Sequence, residues 1–234
     1  MKFRYPWSTS TGMGLAQNHD IMTALRERLT CGHFEPGQRL RPDLLRDEFG
    51  CSASTLREVL FRLSTEGIVD ALDQRGFRMP HLNRERLHEL THLRILLESE
   101  GACLSVRMGG VAWEAQLSAA HHKLSHIETR IRDEPDPGGL VPLWSDAELE
   151  FHQTLIAACA SEALKRTHSL IYHQFRQQLI ISDLQFGAVP ENVRQHQAIL
   201  DAALSRDEPG VRQRIHEHLE RNFQSQRGTK AAAE

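Results

Sequence analysis

The first 80 residues contain three segments with the apolar spacing of α-helices, followed by a predicted β-hairpin. Few folds have this order of elements. Leucine, isoleucine and phenylalanine recur at three- to four-residue spacing in the segments 15–30, 41–49 and 53–66. Residues 68–72 and 77–79 then have strand character around the turn at 73–76, and Pro80 ends the unit. Two helices joined by a tight turn and followed by a hairpin predict a winged helix-turn-helix. Its expected function is to read the major groove of DNA.

The side chains predicted to bind DNA surround the start of the third helix. Ser52 is the expected N-cap, and the free N–H groups of a helix N-terminus favour a phosphate. We expect Arg57 to hold a base or a phosphate, although an ion pair with a neighbouring glutamate is the alternative. The side chains predicted to contact DNA are Arg46, Ser52, Ser54, Thr55, Arg57 and Arg75. A helix-turn-helix that only binds another protein is the other interpretation.

The remaining two thirds of the chain read as a helical bundle. Apolar residues keep helical spacing in the segments 83–107, 111–132, 141–160, 162–186, 190–205 and 209–226. We therefore predict a mainly α protein with a flexible tail at 1–14, a DNA-binding domain at 15–80 and an all-helical domain at 81–228. Such bundles hold ligands and metals between facing helices, and this domain is also expected to dimerise.

Four side chains of the bundle have the chemistry of a metal site. Glu148 and His152 are four residues apart and so lie on one helix face, while His196 and His218 fall on or beside the apolar stripes of the last two helices. Three imidazoles and one carboxylate suit Zn²⁺, Ni²⁺ or another divalent transition ion. The alternative is that these are core histidines. His121, His122 and His126 lie near Lys123 and are expected on a solvated face.

Several motifs resemble one bacterial family. The stretches ALRERLTCGHFEPGQRL, FGCSASTLREVLFRLSTEGIV and QRGFRM resemble the DNA-binding domain of GntR-family transcription regulators. LTHLRILLESEGACLSVR, EFHQTLIAACASEAL, QHQAILDAAL and IHEHL are similar to the FCD effector domain of the FadR-type branch. Within that branch these sequence motifs are most similar to those of the carbon-starvation- and glutarate-responsive regulators.

The resemblance implies roles for particular residues. It makes 53–66 the recognition helix and places Arg75 and Gly76 at a wing tip in the minor groove; Ala53 replaces an arginine common in the family. It implies metal ligation by Glu148, His152, His196 and His218, with Glu148 in place of the usual aspartate, so that a metal-free pocket is the alternative. It also implies that Arg94 pairs with the carboxylate of an organic acid.

The predicted function is therefore a cytoplasmic, homodimeric repressor of a catabolic operon, not an enzyme. It would bind a palindromic double-stranded operator and respond to a small carboxylic acid. Six residues, 155–160, form the longest apolar run, which is too short to cross a membrane, and no signal peptide is expected. A metal-dependent hydrolase fused to a DNA-targeting module is the alternative, because Glu/His clusters also activate water. The sequence leaves activation open as the sign of regulation.

Overall fold

The computed structural model describes residues 14–73, 75–134, 137–181 and 189–224. Within these ranges the chain forms nine α-helices, one 3₁₀ helix and three short strands, which confirms the mainly α prediction. The predicted tail lies outside the described residues apart from Gly14, which begins the first helix. Among the described residues, none of the helices is long and apolar enough to cross a membrane.

The N-terminal domain is a winged helix. Its elements are α1 (Gly14–Thr30), β1 (Arg39–Leu40), α2 (Pro42–Phe49), α3 (Ala53–Thr65), β2 (Asp70–Leu72) and β3 (Gly76–Arg78). The strands form an antiparallel sheet in the order β1-β3-β2. Strand β1 was not predicted, because two residues are too few to show alternation. The core of this domain is built from the side chains of the helical stripes, including Leu25, Leu29, Leu56, Leu60 and Leu63.

The turn between α2 and α3 fixes how the third helix begins. Gly50 ends α2 with φ at 60°, a left-handed conformation that favours glycine. Ser52 then caps α3, as predicted, and its Oγ accepts a hydrogen bond of 3.1 Å from the Thr55 amide. The first turn of α3 is thereby ordered before any ligand arrives.

The C-terminal domain contains six α-helices among the described residues. They are α4 (Arg84–Met108), α5 (Val111–Asp133), α6 (Val141–Leu155), α7 (Glu162–Ile181), α8 (Val189–Leu204) and α9 (Glu208–Gln224), with the 3₁₀ helix at Pro137–Leu140. The prediction that one helix runs over 141–160 is wrong, because α6 ends at Leu155. Ile156 and Cys159 are still buried after that end, so the apolar pattern continues through the turn. The predicted ends at 186 and 226 lie outside the described residues.

The helices of the C-terminal domain pack in pairs around a shared interior. Helix α4 packs against α7 and α9, α5 packs against α6 and α8, and α8 packs against α9. A continuous apolar core of α4, α5, α6, α8 and α9 supports this arrangement, and α4 and α7 share a second, smaller cluster. Polar side chains enclosed between α4, α6, α7, α8 and α9 are therefore held in fixed positions.

Helix α7 also joins the two domains. Three glutamine side chains on this helix donate hydrogen bonds to backbone carbonyls at the edge of the winged helix. Gln174 reaches Glu66 at 2.9 Å, and Gln177 reaches Ile68 at 2.5 Å. Gln178 reaches the carbonyl of His81 at 3.3 Å. A displacement of α7 would therefore change hydrogen bonds to the N-terminal domain.

Candidate metal centre and DNA-binding surface

Three histidines from three helices meet inside the bundle. His152 on α6, His196 on α8 and His218 on α9 each offer a ring nitrogen, and these nitrogens lie within 4.8 Å of one another. All three side chains are buried. The structure therefore brings together three of the four predicted ligands.

Each imidazole is oriented through its Nδ1 atom. Nδ1 of His152 lies 2.9 Å from a carboxylate oxygen of Glu98, and Nδ1 of His196 lies 3.1 Å from one of Glu128. Nδ1 of His218 lies 3.1 Å from the side-chain oxygen of Gln195. An acceptor atom beside Nδ1 is the usual arrangement behind a metal-ligating histidine.

The donor set fits a divalent transition ion. Nε2 of His152 and of His196 is buried and has no hydrogen-bond partner among the described residues. A buried polar atom without a partner is costly, and a metal ion would supply one. Burial lowers the pKa of His152, against the opposing effect of Glu98, so this imidazole is neutral near pH 7 and able to ligate. Three imidazoles suit zinc or nickel.

Glu148 lies beside the histidines but faces two arginines. One carboxylate oxygen is 3.9 Å from Nη1 of Arg94, and the other is 3.6 Å from Nη1 of Arg176. The first oxygen is also 3.9 Å from Nε2 of His152. Burial would raise the pKa of Glu148, but the charges of Arg176 and Arg94 hold it below its usual value. The carboxylate is thus ionised between the arginines and the imidazoles.

Arg94 is a buried guanidinium held on one edge. Its Nε donates a hydrogen bond to Glu98. Its Cζ atom lies 4.7 Å from the ring centroid of Tyr172 and 4.8 Å from that of Phe175. Burial would lower the pKa of Arg94, yet Glu98 and Glu148 raise it. Its Nη2 is buried and has no hydrogen-bond partner among the described residues. A fixed guanidinium with an available edge is suited to a carboxylate.

Glu98 connects the arginine to the histidines. It accepts from Arg94, contacts Nδ1 of His152, and lies 2.9 Å from Nε2 of His168. Burial would raise its pKa, but Arg94 and His152 hold the pKa well below its usual value. One buried carboxylate therefore orients both a predicted metal ligand and the predicted effector residue.

Several of these groups were not predicted from the sequence, including Glu98, Glu128, His168, Tyr172 and Arg176. The expectation that His121 lies on a solvated face is wrong: it is buried, with its ring 5.8 Å from that of Phe151. His122 and His126 are exposed. The burial of His121 and Glu128 could have been predicted from helical spacing. Both lie on the buried stripe of α5, which consists of residues 117, 121, 124, 128 and 131.

The predicted DNA-binding side chains at the start of α3 are exposed or half-buried. Ser54 is exposed, and its Oγ lies 2.8 Å from that of Ser52, which is 2.9 Å from Oγ1 of Thr55. Arg57 follows one turn after the cap and is exposed. It forms no ion pair with any residue in the described ranges, because Glu58 pairs with Arg62 and Glu66 with Arg26.

The other predicted DNA contacts lie in α2 and in the hairpin. Arg46 is about half exposed, with Nε 3.3 Å from a carboxylate oxygen of Asp47. Arg75 and Gly76 are exposed at the hairpin turn, where the Arg75 amide donates to Leu72 at 2.9 Å. Gly76 has φ at 84°, so the turn itself favours glycine, and its Cα side is open to solvent. The structure thus presents arginines on α2, α3 and the wing.

Comparisons with known proteins agree with this architecture. Residues 17–79 match the model of the bacterial regulatory proteins of the gntR family, and residues 89–221 match the FCD domain. The chain is 30% identical over 196 residues to the HTH-type transcriptional regulator BphR of Paraburkholderia xenovorans, covering 84% of this chain and 79% of BphR. It is 26% identical to the HTH-type transcriptional repressor GlaR of Escherichia coli, covering 83% and 89% of the two chains.

Solved structures show the same fold. The structure of Escherichia coli McbR/YncC superposes with a TM-score of 0.77 at 18% identity, over 93% of this chain and all of the other. A gntR regulator from Rhodococcus sp. RHA1 gives 0.73 at 19% identity, over 89% and 97%. At these identities the likeness extends to the fold alone.

The buried network predicts a large effect of Glu98→Gln on stability. Neutralising this carboxylate removes the charge that is hydrogen-bonded to Arg94, which should cost about 3–5 kcal/mol in the free energy of unfolding at pH 7. Urea titration monitored by circular dichroism measures this. Because the pKa of Glu98 is lower in the folded protein, its contribution is present above its unfolded pKa and is lost as the pH falls below about 4. The difference between the two proteins should shrink there.

Glu100→Gln is the matched control on the same helix. Glu100 is half exposed and pairs with Arg212 at 3.2 Å, so its neutralisation should cost less than about 1 kcal/mol. Equal effects of the two substitutions would show that Glu98 has no special structural role.

Proposed function

The chain belongs to the gntR family of bacterial regulatory proteins and carries an FCD domain, and from this premise we propose that it is a metal-dependent, acid-responsive repressor. It is a transcriptional regulator of a DNA-binding family, not an enzyme, and the hydrolase alternative finds no support among its relatives. The observation that carries the proposal is the three-imidazole cluster beside the buried guanidinium of Arg94. Repression, rather than activation, is supported by the name of the relative GlaR, an HTH-type transcriptional repressor.

The effector in this proposal is a small organic acid. His152, His196 and His218 would hold a zinc or nickel ion, which would supply a Lewis acid for a carboxylate. Arg94 binds the acid through the guanidinium edge that Glu98 leaves available. The apolar core around the cluster keeps water away, which strengthens both interactions.

DNA binding in this proposal uses two copies of the chain. Two recognition helices on a palindromic operator require a dimer, with half-sites about one DNA turn (~34–36 Å) or less apart. Helix α4 supports dimerisation, because Leu93 and Leu96 are 44% and 66% exposed on its outer face. Burial of such a stripe against a second copy would remove it from water.

Helix α7 couples the two sites. It carries Arg176 toward Glu148 on one side, and it carries the glutamines that hold the winged helix on the other. An acid that favours one position of α7 therefore favours one placement of the DNA-binding domain. The shift is limited to the difference in the acid's affinity for the two states.

The DNA-binding surface is tested by Arg57→Ala and Arg75→Ala. Each should weaken operator binding, and each lost phosphate contact should lower the slope of log K against log salt by about 0.9. Fluorescence anisotropy with labelled operator at several salt concentrations measures both quantities. Arg132→Ala, an exposed arginine of the C-terminal domain, serves as the control and should change neither. Unchanged affinity in both test variants would contradict this assignment.

The metal centre is tested by His196→Ala. The purified wild type should hold about one zinc or nickel ion per chain after dialysis, and the variant should lose it, because one of three imidazole ligands is gone. Plasma mass spectrometry measures the metal content. His126→Ala, at an exposed histidine, should retain the metal. A metal-free wild type that takes up no added zinc would refute the centre.

The coupling route is tested by Gln177→Ala. Loss of the hydrogen bond to Ile68 should leave metal content unchanged but reduce the acid-induced change in operator affinity by about threefold or more. The comparison is between operator dissociation constants with and without a saturating dicarboxylate such as glutarate. Gln197→Ala, whose amide pairs only with Asp201 on the same helix in the described structure, is the control. A full response in Gln177→Ala would exclude this contact from the route.

A further inference from the structure

Glu148 fills the space that separates the two buried arginines of the effector domain. Its carboxylate oxygens face Nη1 of Arg94 at 3.9 Å and Nη1 of Arg176 at 3.6 Å. The Glu148 side chain is 7% exposed, and each arginine side chain is 1% exposed. Two guanidinium groups therefore converge on one carboxylate away from solvent.

The remaining contacts hold the arginines in place without Glu148. Arg94 is fixed through Nε by Glu98 and lies over two aromatic rings. Arg176 lies over the ring of Trp144 at 4.1 Å. Both guanidinium positions thus rest on groups other than Glu148, so the space between them keeps the shape and charge of a carboxylate site.

Glu148 occupies this site with long contacts. Charge-assisted hydrogen bonds between a guanidinium and a carboxylate are about 2.7–2.9 Å long. The separations from Glu148 exceed this by about 1 Å, and Nη2 of Arg94 has no hydrogen-bond partner among the described residues. A free carboxylate, without a backbone tether, can approach both arginines more closely.

We propose that Arg94 and Arg176 form a carboxylate subsite that Glu148 fills from within the chain, and that an external carboxylate enters by displacing the Glu148 side chain. This inference deepens the proposed function, since it adds an internal competitor to the effector site. The affinity for organic acids then depends on competition between the external carboxylate and the carboxylate of Glu148. Glu148 is one helical turn from His152, so the displaced carboxylate stays next to the imidazole cluster.

The test is chemical rescue of Glu148→Ala in the full chain, with and without a chelator. Removing the carboxylate leaves two buried cations without their shared partner, so the melting temperature should fall. Added acetate or propionate should bind in the vacated space and raise the melting temperature along a saturable curve. Neutral acetamide and equal concentrations of sodium chloride should not.

The wild type and Glu150→Ala are the matched controls. Glu150 lies on the same helix but is half exposed and pairs with Lys123, so its removal opens no buried carboxylate site. Because Glu148 competes for the site in both controls, each should need at least tenfold more acetate than Glu148→Ala for the same rise in melting temperature. If acetate stabilises Glu148→Ala no more than acetamide or chloride does, the subsite is refuted.

Glu148→Gln keeps the test decisive where the alanine variant does not fold. The amide preserves the shape but removes the charge that competes, so succinate should bind this variant at least tenfold more tightly than it binds the wild type, as measured by calorimetry. Equal affinity would overturn the proposal. Neither measurement requires DNA or metal, so its failure is distinct from a failure of the proposed regulatory function.

Discussion

The effector domain depends on one buried ionic contact, between Arg94 and Glu98. Both side chains are almost fully excluded from solvent, and each would be unstable in that environment without the other. Glu98 also orients the ring of His152, and Arg94 faces Glu148. The same carboxylate therefore lies against a candidate metal ligand and fixes the direction of the candidate effector-binding cation.

In the proposed function, this arrangement is what lets a helical bundle respond to a small anion. The site is built from side chains on several helices, so a ligand that changes their spacing acts on the packing of the whole domain. The proposal assigns the coupling to helix α7, because Arg176 faces the site and Gln177 donates a hydrogen bond to the winged helix. A shift of one rigid helix is a common way for packed proteins to pass a signal between sites.

Much of the fold was predictable from the sequence, because it rests on local rules. The cap at Ser52, the glycine turn at Gly50 and the leucine stripes define the winged helix without any long-range information. The three histidines also followed from spacing and the family resemblance. The partners Glu98 and Arg176 did not, because they come from other helices and their roles depend on packing that spacing does not report. The end of α6 was missed since burial continues beyond it.

The proposed metal centre rests on His152, His196 and His218, whose ring nitrogens lie within 4.8 Å of one another. X-ray absorption spectroscopy at the edge of the metal bound to the purified protein tests this most directly. The expected spectrum shows a first shell of nitrogen and oxygen at about 2.0–2.1 Å, with the outer-shell scattering of three imidazoles. A shell containing sulfur, or an oxygen shell without imidazole scattering, would contradict it.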